Sequence, residues 1–279
     1  MLATRILTAV ILIPLVLAAI FLLPPLGWAA ASLAAIAVAA AEWANLAGYR
    51  PPMRLVFVGG LLGIGAGLLV PAWSGFDGGW PDGVVIAACG AATLFWLVAM
   101  PPWLVQRWKP QSKLVIGAAG WVVLVGAWVA VVELQAHSPW LVLAAMAIVW
   151  IADTAAYFAG RAFGRRKLAP EISPGKTWEG VYGGLAAVAV YALALVPLAR
   201  AGGYAEAVSP LAVVVWVALA LGLAALSVTG DLYESLLKRQ AGVKDSGRLL
   251  PGHGGVLDRI DALLAAMPAA ALLAVVWLR

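Results

Sequence analysis

Long apolar stretches alternate with short polar or proline-rich breaks along almost the whole chain. Each stretch holds about 20 mostly apolar residues, which is the length that an α-helix needs to cross a bilayer. The pattern predicts nine spanning helices with these approximate bounds: 6–23, 27–48, 54–72, 83–100, 114–134, 139–160, 177–199, 209–237 and 257–278. The eighth is over-long, so we expect its end to project beyond the bilayer.

The composition also indicates an integral membrane protein. Hydrophobic residues make up 64% of the 279 positions and charged residues only 11%. A soluble domain is about half apolar and about a quarter charged, so these values exclude an ordinary soluble enzyme, a disordered chain and a disulfide-rich scaffold. The single cysteine, Cys89, cannot form an internal disulfide and fits a small core residue.

Lysine and arginine residues are distributed unevenly between the connections. With nine spans, 16 of the 18 basic residues fall on one side, and only Arg200 and Arg279 fall on the other. Membrane proteins retain basic residues on the cytoplasmic side, which accounts for the net charge of +5 without nucleic acid as a partner. We therefore predict an all-α polytopic protein of the cell's inner (cytoplasmic) membrane, with a cytoplasmic N-terminus and the C-terminus on the opposite side.

Acidic residues are concentrated late in the chain, where 9 of the 13 lie between positions 153 and 261. Charged groups in or at the ends of membrane helices are energetically costly and indicate function by default. We therefore predict a scaffold of N-terminal helices over 1–135 and a catalytic region over 136–279. Two connections of this region, 161–176 and 238–256, are expected in the cytoplasm.

Two clusters flank the first of these connections. The first cluster, Asp153, Tyr157, Gly160 and Gly164, recurs at helical spacing on one face, where the glycines allow a backbone or a ligand to approach. A plain helix-packing face with a hydrogen-bonded Asp153 is the alternative. The second cluster comprises Ser173, Lys176, Thr177 and Glu179. Serine followed by proline is typical of a helix N-terminus. A helix N-terminus beside a lysine and hydroxyl groups favours the binding of phosphate. A capped helix start without a ligand is the alternative.

A third cluster lies on the eighth predicted helix. Asp231, Glu234, Ser235 and Lys238 are spaced by three and four residues, so they form one stripe, and Arg239 adjoins it. Carboxylates suit magnesium and basic groups suit phosphates, so the stripe predicts a metal–phosphate site. A salt-bridge ladder from Glu234 to Lys238 is the alternative.

The second polar connection supplies a fourth cluster. Its charged and glycine members are Lys244, Asp245, Gly247, Arg248, Gly252, His253, Gly254, Gly255, Asp258, Arg259 and Asp261. The glycines allow the backbone to wrap closely round a ligand, as phosphate-binding nests do. Asp258 and Asp261 lie one turn apart at the start of the ninth helix, where the helix dipole eases negative charge. A flexible charged loop is the alternative.

The third and fourth clusters together resemble one enzyme family. The run Ser235-x-Leu237-Lys238-Arg239-x4-Lys244-Asp245-x-Gly247-x2-Leu250-Pro251-x-His253-Gly254-Gly255-Val256-x-Asp258-Arg259-Ile260-Asp261 is similar to the pattern of bacterial CTP:phosphatidate cytidylyltransferases, and every specified position is met. The segments 153–164 and 173–180 also resemble what bacterial members carry. Before position 150 mainly the hydropathy agrees.

The resemblance implies a membrane nucleotidyltransferase. Its members move a cytidylyl group from CTP to phosphatidate, a membrane lipid, and release CDP-diacylglycerol and pyrophosphate. The resemblance implies Mg²⁺ as cofactor, allows a second, monovalent cation such as K⁺, and implies a homodimer. In the family the acids that match Asp231 and Asp258 are the metal-centre carboxylates, and we expect Glu234 and Asp261 to support them.

On this interpretation, ionised phosphatidate attacks CTP directly and the site mainly neutralises charge. The residues expected to act in catalysis are Asp231, Asp258, Lys238, Arg239, Lys244 and His253. Those expected to bind substrate are Asp153, Tyr157, Ser173, Lys176, Thr177, Glu179, Ser235, Asp245, Gly254, Gly255 and Arg259. Organisation of the loop is the alternative role for His253. A CTP-dependent lipid kinase and, from a different class, a cation transporter are the alternative functions.

Overall fold

A computed structural model of the chain describes residues 2–72, 79–201 and 209–278. Its helices are α1 (Leu2–Leu22), α2 (Pro25–Leu46), α3 (Pro51–Ala72), α4 (Asp82–Leu94), α5 (Met100–Gln106), α6 (Lys113–His137), α7 (Pro139–Phe163), α8 (Trp178–Ala201), α9 (Pro210–Ala241) and α10 (Leu257–Leu278). A π-helical segment, Phe95–Ala99, joins α4 and α5 into one continuous rod. Two short strands, β1 (Lys167–Ala169) and β2 (Ser173–Thr177), lie between α7 and α8.

These helices confirm an all-α polytopic membrane fold with about nine spans. With the α4–α5 rod counted once, 8 of the described helices are long and apolar enough to cross a membrane. The remaining candidate is α1, whose described apolar run, Ile6–Leu22, is shorter. That run is at the lower limit of about 17 residues for a spanning helix.

Helix starts follow the proline breaks of the sequence. Four of the helices begin at a proline, namely α2, α3, α7 and α9. Proline suits the first helical position because its ring fixes φ and the first N–H needs no partner within the helix. At α9, Ser209 precedes the proline and its Oγ accepts the Ala212 N–H at 3.1 Å. The breaks therefore predict the helix bounds well.

The polar connection after α7 differs from the prediction, because it forms an antiparallel hairpin of β1 and β2. The prediction that Ser173 and Pro174 start a helix is therefore wrong. Ser173 lies opposite Ala169 in the hairpin, and pairing of the two strands outweighs the local preference of the Ser-Pro pair. The cap of α8 is Thr177, whose Oγ1 accepts the Gly180 N–H at 3.1 Å.

The centre of the bundle is α6, which contacts α2, α4 and α10. Tryptophans hold neighbouring helices together, because their indole N–H groups donate to backbone carbonyls of other helices in the core. Trp43 on α2 donates to Ile116 on α6 at 3.0 Å, and Trp96 donates to Leu264 on α10 at 3.0 Å. A buried N–H group without a partner would be costly in lipid, so these bonds fix the helices in register.

The connections that carry most of the basic residues meet at one end of the bundle, which we call the connection end. Arg107, between α5 and α6, pairs with Glu171 of the hairpin turn. Arg239, on the last turn of α9, donates to the carbonyl of Ile172 at 3.3 Å. The membrane face that this end occupies stays a prediction, and Arg279 lies outside the described residues.

The long helix α9 brings its polar stripe to the connection end. It has 32 residues, which corresponds to about 48 Å at 1.5 Å per residue. The hydrocarbon core of a bilayer is only about 30 Å thick. The predicted over-long span is therefore confirmed, and its final turns carry the third cluster.

Candidate active site

A lysine from the hairpin is paired with a carboxylate on α9. Lys176 Nζ lies 2.6 Å from Asp231 Oδ2. Ser235, one turn further along α9, donates its hydroxyl to Asp231 Oδ1 at 3.2 Å. The contact forms because β2 packs against the end of α9. The second and third predicted clusters therefore meet.

A second lysine links α9 to α10 and is more deeply buried. Lys238 Nζ lies 2.5 Å from Glu234 Oε2 and 2.7 Å from Asp258 Oδ1. The two carboxylate side chains are only 3% and 4% exposed. The ladder from Glu234 to Lys238 is thus present, and Asp258 extends it across two helices. One ammonium group between two buried carboxylates leaves an excess of negative charge, which is costly in a low-dielectric setting.

The loop before α10 wraps round the carboxylate of Asp258. Its Oδ2 accepts the N–H of Ser246 at 2.9 Å, the hydroxyl of Ser246 at 2.9 Å and the N–H of Gly255 at 2.8 Å. Gly254 has a φ of +83°, so the loop turns in a conformation that side chains rarely allow. These N–H groups bind a carboxylate of the protein, and the binding of phosphate by this loop stays a prediction.

One residue of this site escapes the sequence analysis. Glu42, on α2, is buried, and its Oε2 lies 3.0 Å from the hydroxyl oxygen of Ser246. Its carboxylate accepts the backbone N–H groups of Val256 at 3.1 Å and Leu257 at 2.8 Å. Glu42 is the only charged residue of the 22-residue α2, and a lone acid in a membrane helix is the signal that could have found it.

Glycines let α7 and α8 cross closely beside the hairpin. A methyl group on Gly180 would lie 2.8 Å from the carbonyl oxygen of Ala156, and one on Gly160 would lie 3.0 Å from Thr177 Oγ1. The first distance is shorter than real side chains show, and the second is tighter than most real contacts, so that Thr177 would have to move. The glycine face of α7 therefore serves the approach of another backbone, as small residues do between membrane helices.

Two further acids face the lysines. Asp153 on α7 interacts electrostatically with Lys176 and Asp231. Asp261, one turn after Asp258 on α10, interacts with Asp231 and with both lysines. The cluster therefore contains five carboxyl groups and only two lysine ammonium groups.

The carboxylates of the cluster would fit a magnesium ion that is also held by substrate phosphates. Within residues 2–72, 79–201 and 209–278, no three His, Cys, Asp or Glu side chains form a metal site by themselves. Protein-bound Mg²⁺ is often held by one or two carboxylates together with water and substrate phosphates, so Asp231 and Asp258 would suffice. The excess of carboxyl groups favours a divalent cation, as does Glu234 Oε1, which is buried without a hydrogen-bond partner in the described part of the chain.

Two predicted substrate-binding residues are engaged in local structure instead. The hydroxyl of Tyr157 accepts from Arg161 at 3.2 Å on the outer face of α7. Glu179 accepts the backbone N–H groups of Arg165 at 3.0 Å and Arg166 at 3.1 Å, so it holds the turn after α7. The structure does not bring either residue into the lysine–carboxylate cluster.

Several residues of the fourth cluster lie in the loop before α10 and on the first turn of α10. Lys244, Asp245 and Arg259 are exposed, and their side chains form no hydrogen bond or ion pair with the described part of the chain. His253 is half-buried in the loop turn, where its backbone N–H donates to the carbonyl of Leu250 at 2.9 Å. Its Nδ1 has no hydrogen-bond partner among the described residues. The exposed basic groups can therefore contact an added anion.

Comparison with known proteins identifies the family. The family profile described as "Cytidylyltransferase family" matches residues 3–277. A Pseudomonas aeruginosa protein named phosphatidate cytidylyltransferase is 41% identical over 288 residues, which cover 99% of this chain and 97% of the relative. Its namesake from Haemophilus influenzae is 36% identical over 286 residues, 96% of each chain. The predicted resemblance is confirmed, and the chain is a membrane nucleotidyltransferase that belongs to the cytidylyltransferase family.

Proposed function

We propose that this chain transfers the cytidylyl group of CTP to phosphatidate and releases CDP-diacylglycerol and pyrophosphate. The names of the near-full-length relatives point to this reaction. The observation that carries the proposal is that two lysine–carboxylate pairs lie together at one end of the membrane helices. They are Lys176–Asp231 and Lys238–Asp258. Cations for phosphate and carboxylates for a metal ion are thereby available together.

Phosphatidate supplies its own nucleophile. A phosphate monoester has a second pKa of about 6, so its headgroup is largely a dianion at neutral pH. One headgroup oxygen attacks the α-phosphorus of CTP and forms the new phosphoanhydride bond. The bond from the α-phosphorus to the bridging β-phosphate oxygen breaks, and pyrophosphate takes that electron pair. No residue of the chain needs to remove a proton.

The chain's task is to bring two polyanions together. Transfer of this kind depends mainly on positioning and charge neutralisation. Asp231 and Asp258 would hold Mg²⁺, which supplies positive charge to the triphosphate when bound. Lys176 and Lys238 would exchange their carboxylates for phosphate oxygens, because the flexible lysine stem lets the ammonium group move. The surplus of carboxyl groups leaves room for a second, monovalent cation such as K⁺.

The proposal places the connection end in the cytoplasm of a cell with this chain in its inner membrane. Support comes from the distribution of basic residues, 16 of 18 on one side, and from CTP being a cytoplasmic substrate. Phosphatidate would enter sideways from the inner leaflet, since its acyl chains stay in the bilayer. The functional unit we propose is a homodimer.

An assay with CTP labelled separately at the α- and γ-phosphates tests the reaction. Purified protein in phosphatidate-containing micelles with Mg²⁺ should transfer the α-label to lipid and release the γ-label as pyrophosphate. Transfer of the γ-label to lipid would indicate a CTP-dependent lipid kinase instead. Absence of any lipid label, together with cation flux in vesicles, would indicate the transporter. Lys109→Ala, outside the four clusters, should behave as the unmodified protein does.

A further inference from the structure

Glu42 links the N-terminal helices to the start of α10. Its hydrogen-bond partners, the N–H groups of Val256 and Leu257, are 214 and 215 residues away along the chain. The first N–H groups of a helix have no partner within that helix and need an acceptor from elsewhere. A carboxylate also suits the positive end of the helix dipole. Glu42 therefore caps α10 from another helix.

A hydroxyl group connects this cap to the proposed metal-binding carboxylate. Ser246 Oγ lies 3.0 Å from Glu42 Oε2 and 2.9 Å from Asp258 Oδ2. The backbone N–H of Ser246 donates to the same oxygen of Asp258 at 2.9 Å. The position of the Asp258 carboxylate is therefore coupled to that of Glu42 through one residue.

Two glycines of the family motif make room for Glu42. A methyl group on Gly247 would lie 2.7 Å from Glu42 Cδ, and one on Gly255 would lie 2.5 Å from it. Both distances are shorter than real side chains show, so any larger residue would displace the carboxylate. Gly255 also donates its N–H to Asp258 at 2.8 Å. The loop sequence is thus fitted to an internal carboxylate.

We infer that Glu42 is a positioning residue for the transfer reaction. It fixes the loop over 244–257 so that Asp258 stays directed at Lys238 and at the Mg²⁺ that Asp231 and Asp258 would hold together; this inference rests on the proposed function. A misplacement of about 1 Å at a reacting centre can lower a rate about 100-fold. Glu42→Gln keeps the size of the side chain but turns an amide N–H₂ towards N–H donors. We expect kcat to fall about 100-fold, with little change in the KM for CTP.

The test combines kinetics with amide hydrogen exchange over 244–257, measured in the same detergent for all variants. The matched control is Glu133→Gln. Glu133 is also a buried carboxylate and accepts the N–H of Trp80 at 2.7 Å. It lies near the C-terminal end of α6, away from the connection end. Glu42→Gln should speed exchange of the Val256 and Leu257 amides and lower kcat. Glu133→Gln should change neither.

Unchanged exchange in Glu42→Gln would overturn the inference, and so would faster exchange with an unaltered kcat. If Glu42→Gln fails to fold, Ser246→Ala decides, because it removes only the hydroxyl that joins the two carboxylates. A folded Ser246→Ala protein with normal kcat would refute the inference, and a lowered kcat together with faster exchange of the Val256 and Leu257 amides would support it. If the unmodified protein shows no CTP- and phosphatidate-dependent turnover, the proposed function fails, and the exchange comparison alone still tests whether Glu42 anchors the loop.

Discussion

Replacing Lys238 with methionine tests the buried charge cluster most directly. The methionine side chain is of similar length, so Lys238→Met chiefly removes charge. It leaves the carboxylates of Glu234 and Asp258 facing each other in a site where both are almost fully buried. Removing one partner of a buried ion pair costs about 3–5 kcal/mol in the free energy of unfolding. Because Lys238 serves two carboxylates, we expect the upper half of that range.

The expected change is large enough to measure by thermal unfolding. For a chain of this size class, 1 kcal/mol corresponds to a shift in Tm of about 2–4 °C, so Lys238→Met should lower the Tm by about 8–20 °C. The double variant Lys238→Met/Glu234→Gln removes one of the two uncompensated charges and should recover about half of the loss. All proteins are compared in one detergent at one scan rate, because such unfolding depends on rate when it is irreversible.

Lys109→Met is the control for the loss of one lysine. Lys109 is exposed and donates to the carbonyl of Gln240 at 3.4 Å, so its removal should leave the Tm nearly unchanged. Two results would refute the reasoning. One is a Tm for Lys238→Met equal to that of Lys109→Met. The other is a double variant that melts below Lys238→Met, which would mean that charge imbalance is not what destabilises the single variant.

Three further predictions concern the metal site, the reaction path and the topology. Asp231→Asn and Asp258→Asn should each lose activity by orders of magnitude while the protein still folds, because a neutral amide cannot offset the charge of a divalent cation. Near-normal activity of either variant at saturating Mg²⁺ would remove that residue from the metal site. Incubation with α-labelled CTP and Mg²⁺ without lipid should leave no acid-precipitable label on the protein, whereas label on Ser235 or His253 would establish a two-step path. In a Cys89→Ala background, Leu249→Cys should react with an impermeant reagent only from the cytoplasmic face and Arg200→Cys only from the other; labelling of both from outside would rule out the nine-span topology.

The sequence predicts the helices well because their limits depend on local chemistry. Proline pairs and capping serines end one apolar stretch and begin the next, whatever the rest of the fold does. The stripe from Asp231 to Lys238 is equally local, since spacings of three and four residues place side chains on one face of any helix. The sequence alone therefore predicts both the length of α9 and the face that carries its charges.

Long-range contacts account for what the sequence does not predict. The hairpin depends on pairing between β1 and β2, which a local pattern does not reveal, because neither Ser173 nor Pro174 carries a strong strand signal. Glu42 forms its hydrogen bonds more than 200 residues away, with partners that no local pattern connects to it. The pairing of Lys176 with Asp231 likewise depends on how the hairpin folds over α9. The division into a scaffold and a catalytic region stays a prediction.

The cap that Glu42 provides has a consequence for how the protein is made. Glu42 leaves the ribosome 215 residues before Leu257, its most distant hydrogen-bond partner. At about 5–20 residues per second, that separation corresponds to roughly 10–40 seconds of translation. During this interval the Glu42 carboxylate on α2 has no Val256 or Leu257 N–H from which to accept a hydrogen bond. The loop around Asp258 is therefore fixed only after α10 has emerged. The connection end is therefore the last part of the molecule to be assembled, and in chains that stop before α10 the Glu42 carboxylate lacks the N–H groups that it caps.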